Sequence, residues 1–445
     1  MKTEIVEKYR DEEKRQVELQ LVISGTSEKE ENGRVCLQSP RYADPFACTE
    51  VCVENLKLGE EIVIDFQYQI QMGGRYVFYA WVKGNELATL SRKVVNFNGA
   101  GMYSGNTHSH STYSDGKSTL EENRAAMMEN GHSFIYATDH NTTAHFEELE
   151  EYRAKGVEEN FLHIPGWEYT TKFGHSIAYR TNHTYSVDKI PERGNLDAWQ
   201  EYVDTMNAEG AIVYFAHPYE APKYEFGENV LKEIKGIAGV EAWNGYNFHA
   251  LAYQNRKNFE VWDKLNRKGD RHYIATAVSD AHTRDGQSSP YMKGYLPELS
   301  RTAVEDMLCN GNFFGSNGPE LDFCIGNAHM GGTCRVEQGS NGKNKKALMT
   351  VNAFDPLGEI ESVIVYRGLA DGVYLEKPNT KKIFEFYPMG DVEKRNFCKN
   401  IMIDINPGEF YRIEMITRIG VVAYMSNPNK VEKGFAFTNP IWIEG

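Results

Sequence analysis

The sequence predicts a mixed α/β fold in three parts: a parallel α/β unit flanked by two all-β units. Three observations predict it. Residues 1–100 carry short runs in which apolar and polar positions alternate. Residues 101–319 carry apolar runs of strand length separated by helical segments, and residues 320–445 return to short alternating runs. Alternation suits strands with one wet face, whereas continuous apolar runs suit strands covered on both faces.

In the first part VELQLVI, RVCLQ, TEVCVENL, EEIVIDFQYQI, GRYVFYAWV and SRKVVNF read as strands of a β-sandwich. The first 15 residues are rich in charge and read as a frayed lead-in or a short helix. In the middle part FIYATDH, NFLHIPGWE, GAIVYFAHP, GVEAWN and YIATAVSD read as buried strands. Ser118–Asn130, Asn195–Glu209 and His249–Lys268 read as helices between them, the first opening on a Ser118-Thr-Leu-Glu121 capping-box pattern. Repeated strand–helix units imply a parallel sheet, either a barrel or doubly wound. No Gly-rich phosphate fingerprint follows a strand, which counts against a nucleotide-binding sheet. In the last part ALMTVNAF, IESVIVYRG, KKIFEFYP, NIMIDI, FYRIEMIT, GVVAYMS and PIWIEG read as a second β-sandwich.

Composition narrows the function classes. The chain has 445 residues with 48 Lys+Arg against 63 Asp+Glu, a formal charge of −15. Clustered cations are what polymeric nucleic acid requires, and no such block exists, so that partner is excluded. The N-terminus has no apolar segment of the secretory kind, and no apolar run approaches a membrane span, so no membrane partner is expected. The seven Cys are scattered and read as reduced, buried thiols, which suits a cytoplasmic setting.

The informative residues lie in the middle part. His108-Ser-His110 ends a strand-like run, and Asp115-Gly116 follows in the loop. His140 ends FIYATDH, Glu168 ends FLHIPGWE, and His175 begins GHSIAY. His217 closes GAIVYFAHP, and Asp280-Ala-His282 closes YIATAVSD. Strand ends of a parallel α/β barrel converge on one face, so residues distant in sequence would surround one cavity. Neutral imidazoles and carboxylates are natural ligands for Zn²⁺, Mn²⁺ or Fe²⁺. Nine such groups exceed the needs of one ion, so two to three divalent ions are expected.

The order HxHS, SDG, TDH, E, GH, AHP, SDAH resembles the PHP (polymerase and histidinol phosphatase) domain superfamily of metal-dependent phosphoesterases. The chain is most similar to the carbaryl-hydrolase-like branch with flanking β-domains. The resemblance implies a distorted (β/α)₇ PHP barrel at 101–319, between an N-terminal β-sandwich at 1–100 and a C-terminal one at 320–445. It also implies three metal positions. His108, His110 and Asp280 would hold the first, with Glu168 bridging to the second. His175 and His217 would complete the second, while Asp115, His140 and His282 would hold the third.

The activity implied is hydrolysis of a small anionic phosphoester by a hydroxide held between metal ions. A carbamate, ester or amide hydrolase would use the same centre. A ligand- or partner-binding protein with a vestigial barrel is the alternative of another class, and a homo-oligomer is compatible with all three. Glu168 and Asp280 are placed in catalysis, with Arg284 and Asn244 as candidate substrate contacts. Lys172 and Asn141 border metal motifs, and Asp139 reads as a support for His140 or a helix cap. Tyr103, Tyr113, Trp167, Tyr169, Trp243 and Tyr246 read as pocket lining or as packing, and His145 and His249 are the other imidazoles of interest. Three divalent ions would bring about +6 against three ligand carboxylates, a local balance near +3 that favours an anion despite the acidic chain.

Overall fold

The apolar runs of the middle part form strands that lie almost wholly out of solvent. They are Gly101–Asn106 (β1), Phe134–Ala137 (β2), Leu162–Thr171 (β3), Gly174–Tyr179 (β4), Ile212–Ala216 (β5), Gly239–Asn244 (β6) and Ile274–Val278 (β7). Every residue of β1, β2 and β4 to β7 is buried, as strands covered by helices must be. The computed structural model describes residues 1–445 apart from 158–159, 220–225, 247–248, 337–344, 375–377 and 419–432.

β1, β2 and β3 pair in parallel, as do β5, β6 and β7. β4 runs antiparallel to both β3 and β5. The expectation of a parallel sheet therefore fails at GHSIAY, because only Lys172 and Phe173 separate β3 from β4 and so short a turn allows only a hairpin. Beyond β7, a parallel bridge joins Ser109 to Ala281 and completes a circuit of pairings from β7 back to β1. Tyr291–Leu296 (β8) and Phe313–Ser316 (β9) extend this sheet, β8 lying antiparallel to β1.

Helices Leu120–Glu129 (α1), Phe146–Ala154 (α2), Leu196–Ala208 (α3), Glu228–Glu233 (α4), Tyr253–Lys268 (α5) and Arg301–Asn310 (α6) cover the strands. The capping box of α1 sits one residue later than expected, on Thr119 and Glu122. α5 turns Phe259, Val261, Trp262 and Leu265 into the core beneath β5 to β7. Each such side chain contributes about 1.5–3 kcal/mol through its burial.

Residues expected to fray at the N-terminus form a strand instead. Lys2–Asp11 pairs antiparallel with Gln16–Ser24, because TEIVEKYRD alternates and buries Thr3 and Ile5. With Glu61–Ile70 and Ala43–Asp44 they make one sheet. A second sheet of Glu31–Gln38, Cys48–Leu56, Gly73–Val82 and Ser91–Phe97 faces it. Val17, Leu19, Leu21 and Ile23 meet Val35, Leu37, Phe78 and Val95 in the core of this pair. Gly73–Val82 also pairs with β1, and a Cβ on Gly101 would lie 1.7 Å from the Gly73 carbonyl oxygen, so glycine is required there.

The last part also makes two sheets. Glu320–Ile325, Ala328–His329, Lys345–Phe354 and Asn396–Ile405 form one. The other is built on Ile360–Leu369, Lys381–Phe386, Glu409–Thr417, Gly434–Thr438 and Ile441–Glu444. The expected strand GVVAYMS lies outside the described residues. Gly434–Thr438 pairs with β9, and Phe435 and Phe437 pack on Trp243, Phe259 and Trp262. Arg412 reaches α5, where its Nε and Nη2 meet both Asp263 oxygens at 3.0 and 2.9 Å.

All seven cysteines are free, but the expectation that they are buried holds for Cys36 alone; Cys324 and Cys334 are half-buried and Cys48, Cys52, Cys309 and Cys398 are exposed. Cys48 and Cys52 share the outward face of one strand, a consequence of their even spacing. No described helix is long and apolar enough to cross a membrane.

Two outcomes follow for stability. Arg412 is buried with its partners, so Arg412→Ala leaves Asp263 and Glu414 without it and is expected to cost about 3–5 kcal/mol in urea unfolding. A cost below about 1 kcal/mol would show that this ion pair does not dock the C-terminal sheet. His132 and His163 are each pushed down to about 3 by burial, so both stay neutral in the folded chain. Unfolded imidazoles protonate near about pH 6.5, so the stability linked to each ring is full above that pH and drains as pH falls towards 3. His163→Gln is expected to flatten the slope of unfolding free energy below about pH 6 by up to about 1.4 kcal/mol per pH unit, and an unchanged slope would contradict it.

Candidate metal centre

Strands β1 to β5 and β7, with the loop after β1, bring the nine His, Asp and Glu residues to one rim. His108 and His110 follow β1, His140 follows β2, His217 follows β5, and Asp280 and His282 follow β7. Glu168 lies inside β3, where a parallel bridge pairs it with His140 in the register of β2 and β3, and His175 is the second residue of β4. The reversal of β4 puts its first residues, rather than its last, at this rim. His217 and Asp280 have φ of 27° and 50°, backbone conformations that cost on the order of 1–3 kcal/mol in a non-glycine residue and that gather at functional sites.

Three groups of ligand atoms result, each with its atoms within 4.8 Å of one another: His108, His110 and Asp280; Glu168, His175 and His217; and His110, Asp115, His140 and His282. In the first group His108 Nε2 and His110 Nε2 are 3.1 Å apart and lie 3.2 and 3.0 Å from Asp280 Oδ1. In the second, Glu168 Oε1 is 2.9 Å from His175 Nδ1 and 3.3 Å from His217 Nε2. In the third, Asp115 Oδ1 is 3.2 Å from His282 Nε2 and 3.5 Å from His140 Nε2. Glu168 Oε2 stands among the groups, 2.6 Å from His140 Nδ1 and 3.5 Å from both His108 Nε2 and His110 Nε2.

The donor set suits divalent ions. Atoms 3.0–3.2 Å apart in a triangle can all reach one ion at bonds of roughly 2.1 Å. Two imidazole nitrogens facing each other cannot both carry protons without repulsion, but both can donate lone pairs to a cation. Glu168 and Asp280 are buried, and their ion-pair partners among the described residues are imidazoles alone. Burial opposes charge on His108, yet Asp280, Glu241 and Glu168 outweigh it and hold its pKa well above the ordinary value. Burial favours a neutral Asp280, but His108 and His110 hold it well below the carboxylate range. Cation-demanding carboxylates thus sit beside groups able to bind a cation.

Supporting residues differ from expectation in several places. Asp139 caps no helix: it accepts from the Ser111 N–H and from the Ser111 and Ser114 hydroxyls, and so folds the loop that carries Asp115. Asn244 reaches the rim, where Nδ2 donates to Asp280 Oδ2 at 3.0 Å. Arg284 does not. Its Nη2 donates to both oxygens of Glu129 at 2.7 and 2.6 Å, because the short turn after His282 sets it over the end of α1 instead of the rim. Lys172 is exposed in the β3–β4 turn, and Asn141 exchanges hydrogen bonds with the Thr170 backbone. Trp167, Tyr169 and Trp243 are core packing, Tyr103 is buried, and Tyr113 and Tyr246 are exposed. Tyr246 places its ring 4.6 Å from that of His282. His145 braces the Ala137 and Gly166 carbonyls, and His249 meets the Lys433 carbonyl.

Two contacts were missed from sequence. Thr170 Oγ1 lies 2.5 Å from His140 Nδ1, and nothing in its local pattern marks it. Glu241 is wholly buried in β6 with an oxygen 2.7 Å from His108 Nδ1. A carboxylate inside the otherwise apolar run GVEAWN was the available signal.

No family model and no curated protein matches the chain. Solved structures similar to it include a two-domain protein of Bacteroides vulgatus containing a predicted PHP-like metal-dependent phosphoesterase, 13% identical, TM-score 0.38, covering 75% of this chain and 94% of that one. Another is a candidate metal-dependent phosphoesterase of Bifidobacterium adolescentis, 16% identical, TM-score 0.32, covering 46% and 95%. A third is an amidohydrolase of Chromobacterium violaceum, 13% identical, TM-score 0.30, covering 42% and 90%. Likeness at these scores carries no weight of its own.

Arg284→Ala is expected to leave divalent-metal uptake unchanged and to alter stability by less than about 1 kcal/mol, as for an exposed ion pair. Loss of bound metal in that variant would return Arg284 to the site.

Proposed function

We propose that the chain is a metal-dependent hydrolase of the PHP kind, acting on a small anionic phosphoester. The observation that carries this reading is the convergence of nine imidazole and carboxylate donors into three groups at one rim. The circuit β1 to β7, with its covering helices, is read as the distorted (β/α)₇ barrel of residues 101–319. Residues 1–100 and 320–445 are read as flanking β-sandwiches.

His108, His110 and Asp280 would hold one ion, Glu168, His175 and His217 a second, and Asp115, His140 and His282 a third. Divalent ions, when bound, lower the pKa of water and polarise the bond under attack. The chain's own residues supply position and charge. Glu168 spans the groups and so sets their spacing. Asn244 steers the Asp280 carboxylate through its Oδ2, leaving Oδ1 towards His108 and His110. Asp115 is the accessible ligand residue, with its side chain 59% exposed, which places the open side of the site next to His140 and His282. A substrate enters there against Tyr246.

Metal analysis of the purified chain is expected to find two to three equivalents of Zn, Mn or Fe. Less than about one equivalent, with no turnover after Mn²⁺ or Zn²⁺ addition, would end the enzyme reading. p-Nitrophenyl phosphate, its bis-ester, p-nitrophenyl acetate and 1-naphthyl N-methylcarbamate assayed together separate the chemistries. Turnover of the carbonyl substrates alone would replace phosphoester by carbamate, ester or amide hydrolysis. His140→Ala and Asp280→Asn are each expected to remove most activity, and full retention would refute the ligand set.

A further inference from the structure

Glu241 has no place in the ligand set, yet it is as deeply buried as any residue of the site. It sits in the middle of β6, between buried neighbours, with no Lys or Arg ion pair among the described residues. An unpaired carboxylate costs several kcal/mol to bury unless donors or cations surround it. Three donors do. His108 Nδ1 is 2.7 Å from Oε1, and the other oxygen accepts from the His217 backbone N–H at 3.1 Å and from Asn244 Nδ2 at 3.2 Å.

We propose that Glu241 is a positioning residue that sets the tautomer of His108 and ties two of the metal positions together. The proposal rests on the metal reading given above. A carboxylate only accepts, so the proton of His108 is held on Nδ1 and the lone pair of Nε2 is left facing His110 and Asp280. The second oxygen anchors the backbone at His217, whose φ of 27° needs such a hold. Through Asn244 the same oxygen is linked to Asp280 Oδ2. One buried side chain therefore restrains His108 and Asp280 of the first group and His217 of the second.

The chemistry requires a carboxylate and not merely a polar side chain. Three donors converge on two oxygens. A glutamine offers one acceptor oxygen and one NH₂, so whichever way it turns, a donor faces a donor: either His108 loses its partner or the His217 N–H does. An aspartate keeps both acceptors but is one methylene shorter.

Zn²⁺ affinity, measured by competition with a chromophoric chelator, tests this in the full chain beside thermal unfolding of the metal-free protein. Glu241→Gln is expected to weaken Zn²⁺ binding about 10- to 100-fold, and to lower the metal-free melting point by several degrees because a buried donor is left facing a donor. Glu241→Asp is expected to recover part of that loss. Wild-type affinity in Glu241→Gln would overturn the proposal. Where Glu241→Gln does not fold, the wild-type Zn²⁺-loaded protein decides, by ¹⁵N NMR of selectively labelled histidine with the His108 ring assigned through His108→Gln. A proton on Nδ1 supports the assignment, and a proton on Nε2 overturns it. A wild-type chain that binds no Zn²⁺, Mn²⁺ or Fe²⁺ fails the metal reading itself and takes this inference with it, an outcome distinct from a tight-binding Glu241→Gln.

Discussion

Two backbone hydrogen bonds, from the Asp280 N–H to the His108 carbonyl and from the His110 N–H to the Ala281 carbonyl, close the circuit on which the site depends. They join the end of β7 to the end of β1, almost the whole length of the α/β unit apart in sequence. Three of the four residues that make them, His108, His110 and Asp280, are also the donors of the first group. Closure and site construction are therefore one event: if the last strand did not return to the first, His108, His110 and Asp280 would not share a triangle of 3.0–3.2 Å. The left-handed backbone of Asp280 is sustained by that closure, which holds its N–H while the chain turns towards His282.

The surrounding polar groups are arranged to keep buried charge tolerable. Glu168, Glu241 and Asp280 lie in the interior, and their contacts are imidazoles, an amide and backbone N–H groups. Such a set is stable only as a complete network, because one missing donor leaves a carboxylate unsatisfied. Its outer frame extends to the C-terminal sheet. α5 carries Asp263, which Arg412 grips, and Asn255, which exchanges hydrogen bonds with the Asn244 backbone. The sheet formed by Glu409–Thr417 and its neighbours thus braces the helix that positions Asn244, and Asn244 in turn contacts Asp280. The flanking strands are more than appendages, since β1 and β9 share ladders with them.

Much of this was legible beforehand, for identifiable reasons. Continuous apolar runs marked the buried strands, and histidines and carboxylates placed at their ends marked the rim, because strand ends of such a fold converge. What misled was local. Charge hid the alternation of TEIVEKYRD, so Lys2–Asp11 read as a lead-in although pairing with Gln16–Ser24 makes it a strand. GHSIAY is as apolar as its neighbours, and nothing in composition shows that it runs the other way. Arg284 stands two residues from a ligand, but sequence distance says nothing of direction, and Glu129 claims it. Glu241 was overlooked because its value lies in three partners, His108, His217 and Asn244, that come from other places in the chain or from the far end of its own strand.

By itself the sequence determined the types and order of the elements and the inventory of donors, since these depend on hydrophobic periodicity and residue chemistry that act over a few neighbours. Only the tertiary structure decided which donors share a group, that Glu168 stands between groups, that β4 reverses, and that Glu241 underlies His108. Those depend on distances between atoms from separate strands, and such distances exist only after the circuit has closed and the interior has lost its water.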